Sequence, residues 1–212
     1  YEMTSSLVGS EMCIRDSQGE IDWDAVADDN IDFAMVRVGF RGTGTGSLNT
    51  DKYYEQNIRG AMRAGLETGV YFFAQAVTVE EAIEEADYVI SLLDGLDING
   101  PVAYDWEMHD STYRVYGTSP EMATACAVAF CERIKDAGYT PMVYGGTYVT
   151  YMKYDQGALA DYLSWYPEYK SEKSEKLCPT LVYHMDYWQF SSTRAVAGIN
   201  GRVDMNIQFI RR

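Results

Sequence analysis

One stretch of the sequence decides the fold: residues 69–107, which read GVYFFAQAVTVEEAIEEADYVISLLDGLDINGPVAYDWE. Residues 69–74 and 101–107 are short apolar runs, each typical of a buried strand. Between them Thr78 is a helix N-cap residue followed by an acidic first turn, and the helical pattern ends near Leu93. A strand, a helix and a second strand in this order form a βαβ unit, which predicts parallel strands with a crossover helix.

The same alternation extends over the whole chain. Further strands are predicted at 33–39, 141–145, 162–166, 187–190 and 202–205, and further helices at 51–66 and from Ser119 to near Gly138. With one disguised strand before Gln18, the count reaches about eight strands, which favours a closed barrel over an open sheet. A doubly wound sheet is the alternative, but the glycines at 42–46 do not open a helix after a strand, and they indicate a loop. The predicted fold class is α/β, an irregular TIM-like (β/α) barrel with about eight strands and fewer helices.

The composition excludes several classes of partner. The chain of 212 residues has 17 basic and 32 acidic side chains, a net charge of −15, which repels phosphate backbones, so we expect no nucleic-acid partner. No run approaches the roughly 18 apolar residues of a membrane span, so we expect no membrane partner. Two histidines and four cysteines without metal-ligand spacing predict no metal and no cofactor. We expect a monomer.

The residues that suggest chemistry stand at the end of the strand at 101–107. Asp105 and Glu107 are two positions apart and therefore share a face, whereas Trp106 points the other way. Barrel enzymes carry their chemistry at the carboxyl ends of the strands. Two close carboxyl groups separate each other's pKa values, so that one can act as an acid beside a carboxylate, as glycoside hydrolysis requires. A polar strand end without catalysis is the alternative.

Two other segments carry weaker signals. Asp204 ends the last predicted strand, with Asn206 on the same face, although the segment at 201–206 is equally typical of a turn. Residues 187–190, YWQF, are an aromatic strand end with one amide, and core packing is the alternative.

Taken together, these segments resemble glycoside hydrolase family 25, the N-acetylmuramidase lysozymes, from Gln18 to Phe209. The matching landmarks, in order, are 18–23, 33–37, 64–66, 69–71, 105–107, 138–141, Tyr144, 188–190 and 203–206. The resemblance implies an irregular α/β barrel that hydrolyses peptidoglycan, cleaving the β-1,4 bond between N-acetylmuramic acid and N-acetylglucosamine. It implies peptidoglycan glycan strands as the partner and an extracellular or cell-wall location.

The resemblance also implies the roles of the site residues. Glu107 would be the general acid, Asp105 would orient or stabilise the 2-acetamido group or act on the anomeric carbon, and Asp204 would support the site electrostatically. The remaining substrate-binding positions would be Tyr71, Tyr144, Trp188, Gln189, Asn206 and Arg37. For Arg37 an ion pair with the acids and a structural ion pair are both open.

The N-terminus departs from the family pattern. The family opens with a strand of the form Asp-x-Ser-x-Trp-Gln-Gly, whose Asp is a further active-site acid. Here Cys13 and Ser17 stand where the Asp and the Trp are expected. Residues 6–17 have no clean strand pattern and resemble a translated sequencing adapter, and no signal peptide is visible. Residues 1–17 are therefore interpreted as an anomalous segment replacing the expected first strand. We expect this segment to pack poorly, and 18–212 to form a single catalytic domain.

Two rival functions stay open at this stage. Without the first acid, the chain could be a catalytically impaired peptidoglycan-binding protein. A chitinase-type, substrate-assisted glycosidase also places Asp-x-Glu at a strand end.

Overall fold

The computed structural model describes residues 6–14, 18–169, 179–181 and 183–210. Ser17 and the other positions at 1–5 and 15–17 of the anomalous segment lie outside the described residues. Within them the chain forms nine strands and five helices. The strands are β1 (Ser6–Ile14), β2 (Ile31–Arg41), β3 (Leu48–Thr50), β4 (Glu67–Ala74), β5 (Val102–Trp106), β6 (Pro141–Tyr144), β7 (Leu163–Pro167), β8 (Tyr187–Arg194) and β9 (Val203–Ile210). The helices are α1 (Trp23–Asp28), α2 (Tyr54–Arg63), α3 (Val79–Leu92), α4 (Pro120–Asp136) and α5 (Thr147–Met152).

Eight of the strands close into a barrel, which confirms the predicted fold class. Their order is β1-β9-β8-β7-β6-β5-β4-β2, and pairing between β1 and β2 closes the ring. The short strand β3 extends β2 on the outside of this ring. The expectation of a parallel sheet is wrong for β9, which runs antiparallel to both β8 and β1. The connection from β8 to β9 is too short for a crossover helix, so the chain returns as an antiparallel neighbour.

The first strand is present in the anomalous segment. Cys13 pairs with Met35 of β2 on one side and with Asp204 of β9 on the other. Met12, Cys13 and Ile14 are all buried, so the poor packing expected here is not observed for these three residues. Their apolar side chains alternate, with Met12 and Ile14 in the core outside the barrel and Cys13 in the core inside it.

The two larger hydrophobic cores among the described residues lie on the outer and inner sides of the barrel wall. The larger core lies between the strands and the helices and includes Phe72, Tyr104 and Trp106. The smaller core fills the barrel interior and consists of Cys13, Phe33, Met35, Tyr71, Ala103, Met142, Tyr144, Trp165 and Tyr187. Because every second residue of a strand faces inward, this inner core leads directly to the polar residues at the carboxyl ends of the strands.

The sequence signals predict where α3 and α4 begin, but they miss the short helices α1 and α5 and place the start of α2 too early. Thr78 caps α3 by accepting a hydrogen bond from the Glu81 N–H, and Ser119 caps α4, as predicted. Helix α2 begins at Tyr54 rather than near Asp51, because the Asp51 N–H is bonded to the Val38 carbonyl and the chain is still extended there. None of the described helices is long and apolar enough to cross a membrane.

Candidate active site

The carboxyl ends of the parallel strands open into a cleft with a cavity volume of about 930 Å³. The cleft brings together most of the side chains predicted for the site. Those that line it are Asp105, Glu107, Asp204, Tyr71, Tyr144, Gln189 and Arg37. A cavity of this size can accept several sugar rings or a ligand of comparable bulk.

Strand β5 presents the two central carboxyl groups. Asp105 is buried at 6% exposure near the end of the strand, and Glu107 follows directly after the strand. Trp106, between them, points outward into the helix layer, where its indole N–H donates to the Ala76 carbonyl at 3.1 Å. The alternation predicted from the sequence therefore holds, and both carboxyl groups reach the same cleft.

Asp204 reaches the cleft from β9, a strand that runs in the opposite direction to its neighbours. The expectation that it ends the last strand is wrong, because it lies near the start of β9. Since β9 is antiparallel to its neighbours, its first residues lie at the end of the barrel where the parallel strands finish. This reversal carries Asp204 to the same cleft as Asp105 and Glu107.

Aromatic rings form the floor and wall beside these acids. The ring of Trp165 packs edge-to-face against two tyrosine rings. The distance between ring centroids is 4.8 Å to Tyr144 and 5.9 Å to Tyr71. Burial, together with the nearby carboxyl groups of Glu107 and Asp105, raises the pKa of Tyr144 well above its ordinary value. The Tyr144 phenol therefore stays protonated and donates to Gln189 Oε1 at 3.3 Å.

The prediction that Trp188 lines the cleft is wrong. Trp188 is 1% exposed and packs outside the barrel against Tyr166 and Met185, with its indole N–H donating to the Glu168 carbonyl at 3.0 Å. Gln189 faces inward, so its neighbour Trp188 must face outward. Trp165 of β7 supplies the tryptophan of the cleft instead, and the alternation within 162–166 was the signal that could have identified it.

Asn206 does not reach the cleft wall. It is fully buried beneath the cleft, where its Oδ1 accepts from the Trp165 indole N–H at 2.7 Å. Its Nδ2 donates to Cys13 Sγ at 3.4 Å. The predicted role in substrate binding is therefore replaced by support of Trp165 and Cys13.

Arg37 lines the cleft and forms a structural ion pair with Asp51. Its Nε donates to Asp51 Oδ2 at 2.8 Å, and Asp51 is 1% exposed. Of the two possibilities left open by the sequence, the structure shows the ion pair that ties β2 to the segment before α2.

Position 13 faces the cleft and already has two N–H donors. Besides Asn206, the amide of Gln189 donates to Cys13 Sγ at 3.7 Å. Gln189 is itself held by the Tyr169 hydroxyl, which donates to its Oε1 at 2.7 Å. Two amide donors around one buried side chain suit a carboxylate acceptor better than a thiol, because thiol sulfur is a weak acceptor.

His109, which contacts Glu107 directly, was not identified from the sequence. His109 Nε2 lies 2.6 Å from Glu107 Oε2, and the His109 ring meets Tyr113 edge-to-face at 5.3 Å. Both His109 and Tyr113 line the cleft. Spacing alone could have suggested His109, since it stands two residues after Glu107. The backbone carbonyl of Glu107 accepts from Gln75 Nε2 at 2.8 Å.

A buried charged network supports this part of the cleft from behind. Glu85 is fully buried and accepts from the Gln75 backbone N–H at 3.0 Å and from Arg41 Nε at 2.7 Å. Burial raises the pKa of Glu85 to about 7, against the opposing effects of the Gln75 N–H and the Arg41 guanidinium. Because Gln75 binds both Glu85 and the Glu107 carbonyl, the network is coupled to the site.

The raised pKa of Glu85 predicts a pH-dependent stability. The carboxyl titrates near 4.5 in the unfolded chain and near 7 in the folded chain, so the folded state binds the proton more tightly. Its contribution to the free energy of unfolding is complete below about pH 4.5 and is lost as the pH rises through about 7. In the parent chain the free energy of unfolding is expected to fall between about pH 5 and about pH 8, and in Glu85→Gln this fall should be smaller. Urea titrations at each pH measure the difference.

Glu84→Gln is the matched control, because Glu84 binds the same guanidinium through Nη2 at 2.7 Å but is 59% exposed. Its pH dependence should follow that of the parent chain. An unchanged pH dependence in Glu85→Gln would show that this carboxyl does not titrate in that range.

Comparison with known proteins identifies a family. The sequence model that describes the family named glycosyl hydrolases family 25 matches residues 14–199 of this chain. No curated protein sequence matches the chain.

Solved structures share the fold. The lysozyme of Streptomyces coelicolor is 24% identical with a TM-score of 0.74, over 96% of this chain and 92% of that one. The autolysin LytC of Streptococcus pneumoniae, in complex with a synthetic peptidoglycan ligand, is 25% identical with a TM-score of 0.75, over 94% of this chain. The CTP1L endolysin is 21% identical with a TM-score of 0.73, over 94% of this chain. The chain spans only 46% of LytC and 66% of the endolysin.

Proposed function

Because the chain belongs to glycosyl hydrolase family 25, we propose that it is a lysozyme which cleaves the β-1,4 bond between N-acetylmuramic acid and N-acetylglucosamine in peptidoglycan. One observation carries the proposal. Asp105, Glu107 and Asp204 come from two strands that run in opposite directions, yet all three line one open cleft with aromatic walls. Glycoside hydrolases use carboxyl groups that converge on a cleft large enough for sugar rings.

Glu107 is the general acid in this proposal. It is the more accessible of the two carboxyl groups at the end of β5, because Glu107 is partly exposed and Asp105 is buried. From there it can deliver a proton to the glycosidic oxygen as the bond to the leaving sugar breaks. The buried Asp105 carboxylate, beside the protonated Tyr144 phenol, stabilises positive charge at the anomeric carbon or orients the 2-acetamido group. Asp204 adds negative potential from the facing strand.

Peptidoglycan is the proposed substrate because the family and one similar structure point to it. LytC, which shares this fold, is described in complex with a synthetic peptidoglycan ligand. The exposed rings of Tyr148 and Tyr169 line the cleft and provide flat apolar surfaces on which sugar rings can stack. An extracellular or wall-associated monomer is part of the same proposal.

A direct assay separates the proposal from its rivals. The chain is incubated with purified peptidoglycan and, separately, with chitin oligomers, and the release of new reducing ends is measured. The lysozyme proposal expects muramic acid at the new reducing ends of peptidoglycan and little action on chitin. Preferred cleavage of chitin would contradict it.

The binding-protein alternative is favoured by one observation, Cys13 in place of a carboxylate in the cleft. A pelleting assay with insoluble peptidoglycan measures binding independently of cleavage. Binding without new reducing ends would identify the chain as an impaired wall-binding protein.

A further inference from the structure

We propose that His109 is a positioning residue for Glu107, holding one carboxyl oxygen so that the other is presented to the substrate. The inference rests on the proposed function of Glu107 as the acid. His109 Nε2 lies 2.6 Å from Glu107 Oε2, which is an ion-pair contact when the imidazole is protonated. The side chain of His109 is 63% exposed and that of Glu107 is 24% exposed, so the pair lies at the mouth of the cleft.

A glutamate directly after a strand needs such a partner. Its carboxyl group lies at the end of three rotatable bonds, and the torsion of the carboxyl itself is broad. General acid catalysis requires the acidic oxygen within hydrogen-bond reach of the leaving oxygen. A partner that fixes Oε2 restricts the carboxyl rotation and leaves Oε1 toward the cleft.

The imidazole can hold this oxygen before and after proton transfer. When the acid proton is on Oε1, Nε2–H of His109 donates to Oε2. After that proton has moved to the glycosidic oxygen and the C–O bond has broken, the same N–H donates to the carboxylate. The hydrogen bond to Oε2 is thus kept throughout, and no proton needs to leave His109.

Packing around the pair fixes the histidine in turn. The edge-to-face contact with Tyr113 restrains the His109 ring. The Glu107 backbone is restrained by Gln75, whose carbonyl accepts from Arg114 Nη1 at 2.9 Å. Both members of the pair therefore belong to a loop anchored on the buried side of the barrel wall.

Stability measurements alone would not reveal this role, because an exposed ion pair contributes little to the free energy of unfolding. The test is therefore kinetic and uses three variants. In His109→Ala the contact with Oε2 is lost. In His109→Gln the side-chain amide N–H replaces Nε2–H at similar reach. In His109→Asn the side-chain amide lies closer to the backbone, in the place of Nδ1, and does not reach Oε2. This variant is therefore the matched control.

The expected result is a selective loss of kcat on peptidoglycan. His109→Ala should lower kcat by about tenfold or more, with KM within about twofold, because misplacement of a catalytic group by about 1 Å can cost up to about 100-fold. His109→Gln should recover most of kcat and His109→Asn should not. A change confined to KM, or equal rescue by both amides, would overturn the positioning role and leave His109 as part of the cleft wall.

A second measurement does not depend on turnover. The carboxyl carbon of Glu107 is observed by NMR in the parent chain and in His109→Ala, with Asp110→Asn as a control on the same loop. The positioning role requires a shift of the Glu107 signal in His109→Ala alone. An unchanged signal overturns the inference even if the chain proves inactive on peptidoglycan, and a shifted signal in an inactive chain contradicts the proposed function instead.

Discussion

Glu107→Gln is expected to lower the rate of peptidoglycan hydrolysis by about 100- to 10,000-fold while the chain stays folded. The amide has almost the shape of the carboxyl group and can still bond to His109, but it cannot donate a proton to the glycosidic oxygen. Since Glu107 contributes nothing to either hydrophobic core, we expect the thermal midpoint to change little. Release of reducing ends and thermal unfolding, measured on the same preparation, check both parts.

Asp110→Asn is the matched control for this prediction. Asp110 lies on the same loop and is exposed, and its carboxylate accepts from the N–H and hydroxyl of Thr112 rather than lining the cleft. These Thr112 hydrogen bonds lower the pKa of Asp110. We expect near-parental hydrolysis in Asp110→Asn. Near-parental activity in Glu107→Gln would assign the acid to another residue.

The barrel and its central acids could be predicted because their signals are local. The βαβ unit at 69–107 contains buried strand runs, a helix cap and an i, i+2 pair of carboxyl groups, and each depends only on neighbours in the chain. The structure confirms that Trp106 faces outward and that Asp105 and Glu107 share the cleft.

The errors arose where the outcome depended on strand direction or on distant partners. Asp204 was assigned to the end of a parallel strand, although the antiparallel direction of β9 brings the start of that strand to the cleft. Trp188 was assigned to the wall by resemblance, although the inward Gln189 excludes it. Asn206 faces the barrel interior on the same side of β9 as Asp204. Asp204 lines the cleft, whereas Asn206 lies further along the barrel axis, below the cleft, and is fully buried. A face can be predicted from spacing, whereas depth along the barrel axis cannot.

The anomalous segment shows a related limit. Its sequence has no clean strand pattern, yet β2 and β9 offer unpaired edges that a strand must cover to close the barrel. Pairing with two existing strands can override a weak local preference, since strand propensity depends strongly on context. Closure of the barrel therefore places Cys13 beside Asp204, with its side chain in the cleft.

Cys13→Asp is expected to raise peptidoglycan hydrolysis, by about 10- to 100-fold, since one well-placed electrostatic group is commonly worth a factor of this size or more. The amides of Gln189 and Asn206 already donate to Sγ, and a carboxylate would accept both N–H groups in stronger, charge-assisted hydrogen bonds. The new charge would join Asp105 and Asp204 in stabilising positive charge at the anomeric carbon.

Cys13→Asn and Cys13→Ser are the controls for the gain. Asparagine has almost the shape of aspartate without its charge, and serine has almost the shape of the cysteine already at this position. Initial rates of reducing-end release are compared for the parent and the three variants, each with thermal unfolding to confirm that the chain is folded. A gain confined to Cys13→Asp shows that the cleft lacks a carboxylate at this position and that Cys13 weakens the enzyme. An equal gain in Cys13→Asn would assign the effect to hydrogen bonding with Gln189 and Asn206. No gain in a folded Cys13→Asp chain would show that position 13 does not take part in the reaction, since its side chain already faces the cleft.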